Sequence, residues 1–293
     1  MKRMLVLDCS ALFHRSRLAL IRSCGELTTS VGMPVTGTLG FLNALFAIMA
    51  KYDYSCVIPC AEGGNNWRKK ESNEYKANRE SADIAHYEDQ GLLLEEVLPT
   101  LGMTVVKASG YEADDVISHI SRNSPAYDEI HVYSCDSDLL QLVSNRVKVI
   151  LFNSVKNTKV YGIDEVVEKY GVYPSEVRYL KSICGDKSDN VAGIKGLGPK
   201  TAVKIIHECR PNEINPEFTG ADKICLHPKV APHAATFLGN LRLVTLENDL
   251  PNLIWFASSP PVPIQIEALF QSLEFKSLLK RKGKILEVLG CAK

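Results

Sequence analysis

The 293-residue chain has no surplus of charge of either sign, since 34 lysines and arginines balance 34 aspartates and glutamates. A chain-wide basic character is therefore missing. Any face that binds a polyanion must be local, with acids elsewhere offsetting it. The nine cysteines are scattered and odd in number and include no CxxC pair, which excludes a zinc ribbon or thioredoxin-type motif and fits free thiols in a reducing cytoplasm. The seven histidines include no HxH or HExxH spacing, and no GxSxG elbow occurs, so a zinc-protease site and an α/β-hydrolase elbow are both absent. No run is long and apolar enough to span a membrane. The opening MKRMLVL imitates a secretory leader, but Asp8 interrupts its apolar part and Arg15 and Arg17 follow. Internal repeats and low-complexity blocks are also lacking.

What remains is ordinary for a globular protein: 45% apolar and 23% charged residues, enough chain for one large domain or two modest ones around a substantial core. Short apolar runs at residues 4–7, 56–59, 103–106, 130–133 and 147–152 read as strands. Between them lie helical patterns at about 11–22, 39–50, 92–98, 110–121 and 139–143. Strands alternating with helices predict an α/β fold with a mainly parallel sheet. Beyond Asn153 the pattern turns helical, at 164–170, 175–184, 199–208, 238–246 and 264–289, with 210–232 expected as an irregular loop.

Acids gather in four places: Asp8; Glu112, Asp114 and Asp115; Asp136 and Asp138; Asp186 and Asp189, with Glu62 as an outlying fifth. Asp8 and Asp136 each follow a predicted strand, at the rim where open parallel sheets bind ligands. Glu112 and Asp115 share the first turn of a helix, opposite its core stripe of Ala113, Val116, Ile117 and Ile120. Taken singly, each acid is an N-cap, a turn residue or a surface charge. Together on one rim they would repel one another without cations, and hard oxygen ligands select Mg²⁺ or Mn²⁺. Two such ions about 4 Å apart would activate a water and stabilise the leaving oxygen of a phosphodiester.

Two further stretches carry chemistry. Residues 65–80 interleave Arg68, Lys69, Lys70, Lys76 and Arg79 with Trp67 and Tyr75. This reads either as a solvated surface helix or as a nucleic-acid contact in which cations hold phosphates and aromatics stack on bases. In GDKSDNVAGIKGLGPKTA (residues 185–202), Gly193, Gly196 and Gly198 precede Pro199, Lys200 and Thr201 at a helix start. Pro199 separates Gly198 from Lys200 and the stretch follows helices, so a Walker A loop does not fit. The alternatives are a plain helix-connecting turn and a helix-hairpin-helix type turn, whose backbone N–H groups approach a DNA phosphate while Lys195 and Lys200 add charge.

GYEADD (residues 110–115), SCDSDLLQLVS (134–144) and GDKSDNVAGIKGLGPKTA (185–202) closely resemble the 5′–3′ exonucleases. That family includes the 5′-nuclease domain of bacterial DNA polymerase I, bacteriophage 5′-exonucleases and flap endonucleases. The resemblance runs from Asp8 to about Pro251, and NWRKKESNEYKANR (66–79) looks most like the phage members. It implies a PIN-like, mainly parallel α/β core over residues 1–165 with a helical arch at about 65–98. An all-helical region over 166–293 would follow, with a helix-three-turn-helix at about 175–210. By this resemblance Asp8, Glu112, Asp114 and Asp115 would hold one ion and Asp136, Asp138, Asp186 and Asp189 a second. Glu62 stands in for an aspartate the family usually carries after its second strand. Lys76 and Arg79 would be catalytic, steering and polarising the scissile phosphate. Tyr75 would stack, and Arg68, Gly193, Lys195, Gly196, Gly198, Lys200 and Thr201 would contact DNA, with a K⁺ ion at the glycine turn in some members.

The implied activity is a Mg²⁺- or Mn²⁺-dependent, two-metal-ion 5′–3′ exonuclease and 5′-flap endonuclease. It would act on DNA 5′ ends, flaps and duplex junctions, and on the RNA of RNA–DNA hybrids. We expect a free-standing, monomeric nuclease ending at Lys293, without a membrane partner, in the cytoplasm of a bacterium or a phage-infected host. A PIN-type ribonuclease is a rival, against which the glycine turn speaks. A non-catalytic DNA-junction binding module is another, against which the full set of acids speaks.

Overall fold

The computed structural model describes residues 1–79, 83–154, 157–210, 220–256 and 259–291. The strands are β1 (Arg3–Asp8), β2 (Cys56–Cys60), β3 (Val105–Ala108), β4 (Glu129–Ser134), β5 (Val147–Ser154), β6 (Asn157–Tyr161), the two-residue β7 (Gly185–Asp186) and β8 (Val191–Ala192), and β9 (Leu253–Phe256). The helices of the first half are α1 (Cys9–Cys24), α2 (Thr36–Met49), α3 (Trp67–Glu71), α4 (Ile84–Leu92), α5 (Leu98–Thr100) and α6 (Ala113–Arg122). Those of the second are α7 (Ile163–Tyr170), α8 (Val177–Cys184), α9 (Pro199–Cys209), α10 (Ala221–Leu226), α11 (Ala234–Val244), α12 (Pro263–Ser272), α13 (Lys276–Leu279) and α14 (Lys282–Val288).

Seven strands form one sheet in the order β6-β5-β4-β1-β2-β3-β9. The inner five run parallel, and the edges β6 and β9 run antiparallel to β5 and β3. The Met-Leu-Val-Leu run of β1 explains its central place. Met4 and Val6 point into a core shared with Ile130, Val132, Val116 and Ile117. Leu5 and Leu7 point into the opposite core with Leu12, Phe13, Phe41 and Leu42. A strand apolar on both faces belongs in a parallel sheet covered on both sides, and burying each such side chain contributes about 1.5–3 kcal/mol. Ile266, Phe270, Leu278 and Ile285 of the last helices join the second core.

Several elements differ from expectation. β6 and β9 were not foreseen, since their short runs carry exposed residues such as Val160 and Trp255, so alternation is weak at these sheet edges. The expected helix at 139–143 is a 3₁₀ turn over Ser137–Leu142. The single helix expected at 264–289 is three, and Glu274 at φ +57° turns the chain between the first two. Part of the loop expected at 210–232 lies outside the described residues, and α10 occupies another part. The short helix α3 and the following turn occupy the expected arch, which continues through α4 and a π turn at Leu93–Val97. No helix among the described residues is long and apolar enough to cross a membrane.

Candidate metal centre

Parallel pairing brings the carboxyl ends of the strands to one rim. Asp8 ends β1, paired in register with Cys60 at the end of β2. Its Oδ1 accepts from the Ala11 amide at 2.9 Å, capping α1, and its Oδ2 accepts from the Ser134 hydroxyl at 2.5 Å. Ser134 ends β4 and its oxygen also accepts from the Asp136 amide at 3.0 Å, which ties the two strand ends together. Asp136 in turn caps the 3₁₀ turn by accepting from the Asp138 amide at 2.8 Å. Glu112 is the N-cap of α6, and Asp114 and Asp115 lie in that helix's first turn.

The acids fall into two electrostatic groups. Asp8, Asp114, Asp136 and Glu62 make no ion pair among the described residues. Burial pushes the Asp8 carboxyl up to about 6, and the neighbouring charges of Asp136 and Glu62 add to that rise. Desolvation likewise raises the Asp114 carboxyl well above its ordinary value, with Asp136 and Asp8 contributing. Buried like charges of this kind are stabilised by a cation. Glu62 itself is exposed.

The remaining acids are held by the chain's own cations. Arg68, only 1% exposed, uses all five of its N–H donors. Two go to Asp115 (2.6 and 2.7 Å), one to Glu112 (3.2 Å), and two to the Leu243 and Thr245 carbonyls (2.7 and 2.8 Å). Asp115, fully buried, also accepts from the amides of Glu247 and Glu112. One expectation is thereby corrected: Arg68 is sealed inside and does not face a duplex. The Asp115 oxygens accept from Arg68 and from backbone amides. Trp67 is no base platform either, because its ring is taken up by the guanidinium groups of Arg68 and Arg242, at 4.6 and 4.3 Å from the ring centroid.

Tyr75 is corrected as well. It is 3% exposed, and its hydroxyl lies 2.9 Å from both Glu112 and Asp189. That hydroxyl has one proton for two carboxylates, so it bridges acids and does not stack on a base here. Lys76 adopts φ +55°, a left-handed conformation uncommon outside glycine. Its amide donates to the Asp189 carbonyl at 2.9 Å, and its ammonium contacts Glu112 at 2.5 Å and Asp189 at 3.8 Å. Arg79, half-exposed, donates to Asp189 at 2.8 Å. Burial alone would raise the Glu112 carboxyl, but Lys76 and Arg68 hold it below its usual range. Lys181 on α8 contacts Asp138 and, at 2.6 Å, Asp186. Burial opposes ionisation of Asp186, yet Lys181 and Ser188 pull it down to about 2.

Among the described residues no three His, Cys, Asp or Glu side chains are grouped to hold a metal ion as they stand. The donor chemistry nevertheless fits a hard divalent cation at Asp8, Asp114 and Asp136, which are all oxygen ligands without an ion pair among the described residues. Asp138, Asp186 and Asp189 are already neutralised. Lys181, Ser134 and Cys60 were missed by sequence reasoning. Lys181 precedes Asp186 by five residues on a short helix and matches no ligand spacing. Cys60 becomes visible as a rim residue only once β2 is placed beside β1.

The glycine turn divides by role. Gly185, at φ +79°, and Gly193 permit a close backbone crossing, since a Cβ on Gly193 would lie 2.2 Å from the Cys184 carbonyl oxygen. That crossing holds the β7–β8 hairpin carrying Asp186. Gly196, at φ +85°, and Gly198 have open space around them. Lys195 and Lys200 are exposed and Thr201 is half-buried. Gly198 is the N-cap of α9 with Pro199 at its first position and no side-chain cap, which leaves backbone N–H groups free to face an anion.

The family model described as 5′-3′ exonuclease, N-terminal resolvase-like domain matches residues 3–171. The 5′-3′ exonuclease of Aquifex aeolicus is 33% identical over 296 residues, covering 97% of this chain and 96% of that one. DNA polymerase I of Caldicellulosiruptor bescii is 31% identical over 292 residues, where the match takes in 96% of this chain but 33% of the polymerase. Among solved structures, the bacteriophage T5 D15 flap endonuclease in a complex with DNA and metal ions shares the fold. Its TM-score is 0.64 at 20% identity, over 99% of this chain and 100% of that one. With the match spanning the rim acids at Asp8, Glu112 and Asp136, the chain is a nuclease and belongs to the 5′-3′ exonuclease family.

Proposed function

We propose that this nuclease is a divalent-metal-dependent phosphodiester hydrolase that cuts DNA from 5′ ends and at 5′ flaps. One observation carries the reading: acids from four separate segments (the ends of β1 and β4, the start of α6 and the β7–β8 hairpin) meet on one rim, beside Lys76 and Arg79. The metal- and DNA-bound state of the T5 relative supports it.

Asp8, Asp114 and Asp136 would hold one Mg²⁺ or Mn²⁺, with Glu62 at its margin, and Asp138, Asp186 and Asp189 a second. Bound there, the ions supply charge to polarise the phosphate and acidify the attacking water. The chain's own residues do the rest. Lys76 and Arg79 place positive charge where it builds up on the phosphate oxygens. Lys195, Lys200 and the free amides at the start of α9 grip backbone phosphates without reading bases. A K⁺ ion at Gly193–Gly198 would rest on backbone carbonyls, because that turn has no oxygen-bearing side chain. Glu112 and Asp115 orient Lys76 and Arg68 around the site.

In this reading residues 1–165 form the catalytic core and 166–293 the duplex-gripping region. Backbone recognition extends to the RNA strand of a hybrid, because both strands offer phosphates. All nine cysteines are free, which suits work in a reducing cytoplasm.

A 5′-labelled flap duplex incubated with Mg²⁺, and in parallel with EDTA, tests the proposal. Release of short 5′-labelled products with Mg²⁺ alone supports it. Cleavage confined to single-stranded RNA would favour a PIN-type ribonuclease. Binding without metal-dependent cleavage would leave a junction-binding module.

A further inference from the structure

We infer that Asn240 is a positioning residue that fixes where the cut falls relative to the gripped duplex. This rests on the reading above, in which the turn before α9 holds duplex and the rim acids serve the cut. Asn240 lies within α11 and is 8% exposed. Asparagine is a poor helix former, and a buried amide is costly unless its hydrogens are bonded. Both of those hydrogens point out of the helix: the amide nitrogen donates to the Ser182 carbonyl at 3.0 Å and to the Ala192 carbonyl at 2.8 Å.

These two carbonyls flank the neck of the segment that carries Asp186 and Asp189. Ser182 lies in the last turn of α8, where carbonyls lack partners within the helix. The hairpin's own backbone meets its neighbours, since the Gly185 amide donates to the Lys181 carbonyl and the Ile194 amide to that of Ile183 at 2.8 Å. The Ser182 carbonyl is met from α11. Ala192 pairs with Gly185 across the β7–β8 hairpin and is the last residue before the glycine turn. One side chain thus holds the incoming and outgoing ends of residues 183–191, and with the outgoing end the start of the turn that leads to Lys195 and Lys200.

The far end of α11 is fastened to the catalytic core. The Leu243 and Thr245 carbonyls accept from Arg68, and the Val244 carbonyl accepts from Gln141 at 2.9 Å. Arg68 is bonded to Glu112 and Asp115, and Gln141 belongs to the 3₁₀ turn capped by Asp136. One helical turn, about 5 Å along the axis, therefore separates the tie to the core from the tie to the hairpin. Without the Asn240 amide, hairpin and grip stay joined through the Gly185–Gly193 crossing but lose this brace against the core. Successive phosphates of a strand are spaced by about 3.4 Å along the duplex, and a misplacement of about 1 Å costs about a hundredfold in rate. A small shift of the grip is then enough to change which phosphate meets the core acids.

The test maps cut positions on a 5′-labelled flap duplex in Mg²⁺, under single-turnover conditions with the full chain. Asn240→Leu keeps the volume and removes both donors. It should slow cleavage at the principal position about tenfold and raise the share of products cut about one nucleotide away about fivefold. Its duplex affinity in EDTA should stay within about twofold of wild type, because the gripping groups are intact. Asn240→Ser is too short to reach both carbonyls and should spread the products in the same way, which keeps the test open where Asn240→Leu does not fold. Phe270→Leu lies in the opposite core, destabilises by packing alone, and should keep the wild-type positions. Hydrogen exchange in EDTA reads the brace without nuclease chemistry: the Ile194 amide should exchange faster in the Asn240 variants and as in wild type in Phe270→Leu. The inference is overturned if the Asn240 variants keep the wild-type cut positions, or if Phe270→Leu spreads the products as they do. Absence of Mg²⁺-dependent cleavage by wild type would instead sink the metal-dependent reading itself.

Discussion

Arg68 and Asp115 face each other as a planar fork on a carboxylate, at 2.6 and 2.7 Å, with both side chains sealed from solvent. The same guanidinium binds the carbonyls of Leu243 and Thr245 at the end of α11. One side chain therefore joins α3, the first turn of α6 and the end of α11. Removing one partner of a buried pair leaves the other charge stranded, at about 3–5 kcal/mol. Arg68→Met should lower the melting temperature by roughly 10 °C, taking about 2–4 °C per kcal/mol for a chain of this size. Arg68→Lys should recover little, because an ammonium cannot form the fork. A melt within experimental error of wild type would show that the pair contributes nothing.

Asp114, next in sequence, behaves in the opposite way. It makes no ion pair among the described residues and sits buried beside Asp136, Asp8 and Glu112, with the charge of Lys76 only partly offsetting theirs. At neutral pH and in EDTA, Asp114→Asn should therefore melt higher than wild type, by about 2–8 °C for about one to two kcal/mol of repulsion relieved. Mg²⁺ should raise the wild-type melting temperature, by ligand linkage, and raise that of the variant little. Destabilisation by Asp114→Asn in EDTA would show the carboxylate to be structural.

The two halves of the glycine turn should respond differently to a single methyl group. A Cβ on Gly193 would overlap the Cys184 carbonyl, so Gly193→Ala must displace the hairpin that carries Asp186, lowering both stability and cleavage. Gly196→Ala meets open space and suffers only the strain of a left-handed alanine, about 1–2 kcal/mol. Equal behaviour in paired melts and cleavage assays would contradict this division.

Lys200 is exposed at the start of α9. Lys200→Ala should weaken duplex binding without sequence preference and reduce the slope of log affinity against log salt by about one. Fluorescence anisotropy across a salt series measures both. An unchanged slope would remove Lys200 from the duplex contact.

Much of this was legible in the chain. Apolar runs ending in Asp8 and before Asp136 located the rim, because parallel strands put their carboxyl ends on one side and ligands collect there. The glycines and Pro199 announced a helix start. What could not be read was which cation meets which acid. Arg68 reaches Asp115 across 47 residues, Lys181 reaches Asp138 across 43, and neither separation is a local spacing. The basic stretch at 65–79 looked like a nucleic-acid face because its charges and aromatics are polar in composition. Burial turned Arg68, Tyr75 and Lys76 inward, while Lys69 and Lys70 stay exposed and Arg79 half-exposed. Edge strand β9 escaped because a half-exposed run of four residues has too little period to separate it from a loop.

The central claim is that the rim acids serve catalysis and not the grip on duplex. The most direct measurement is single-turnover cleavage of a 5′-flap duplex in Mg²⁺ by wild type and Asp186→Ala, alongside duplex binding of both proteins by anisotropy in EDTA. Asp186→Ala should lose cleavage while its duplex affinity stays within about twofold of wild type, as expected for a carboxylate that makes no phosphate contact. Cleavage by Asp186→Ala at the wild-type rate, or an equal loss of cleavage and binding, would contradict it.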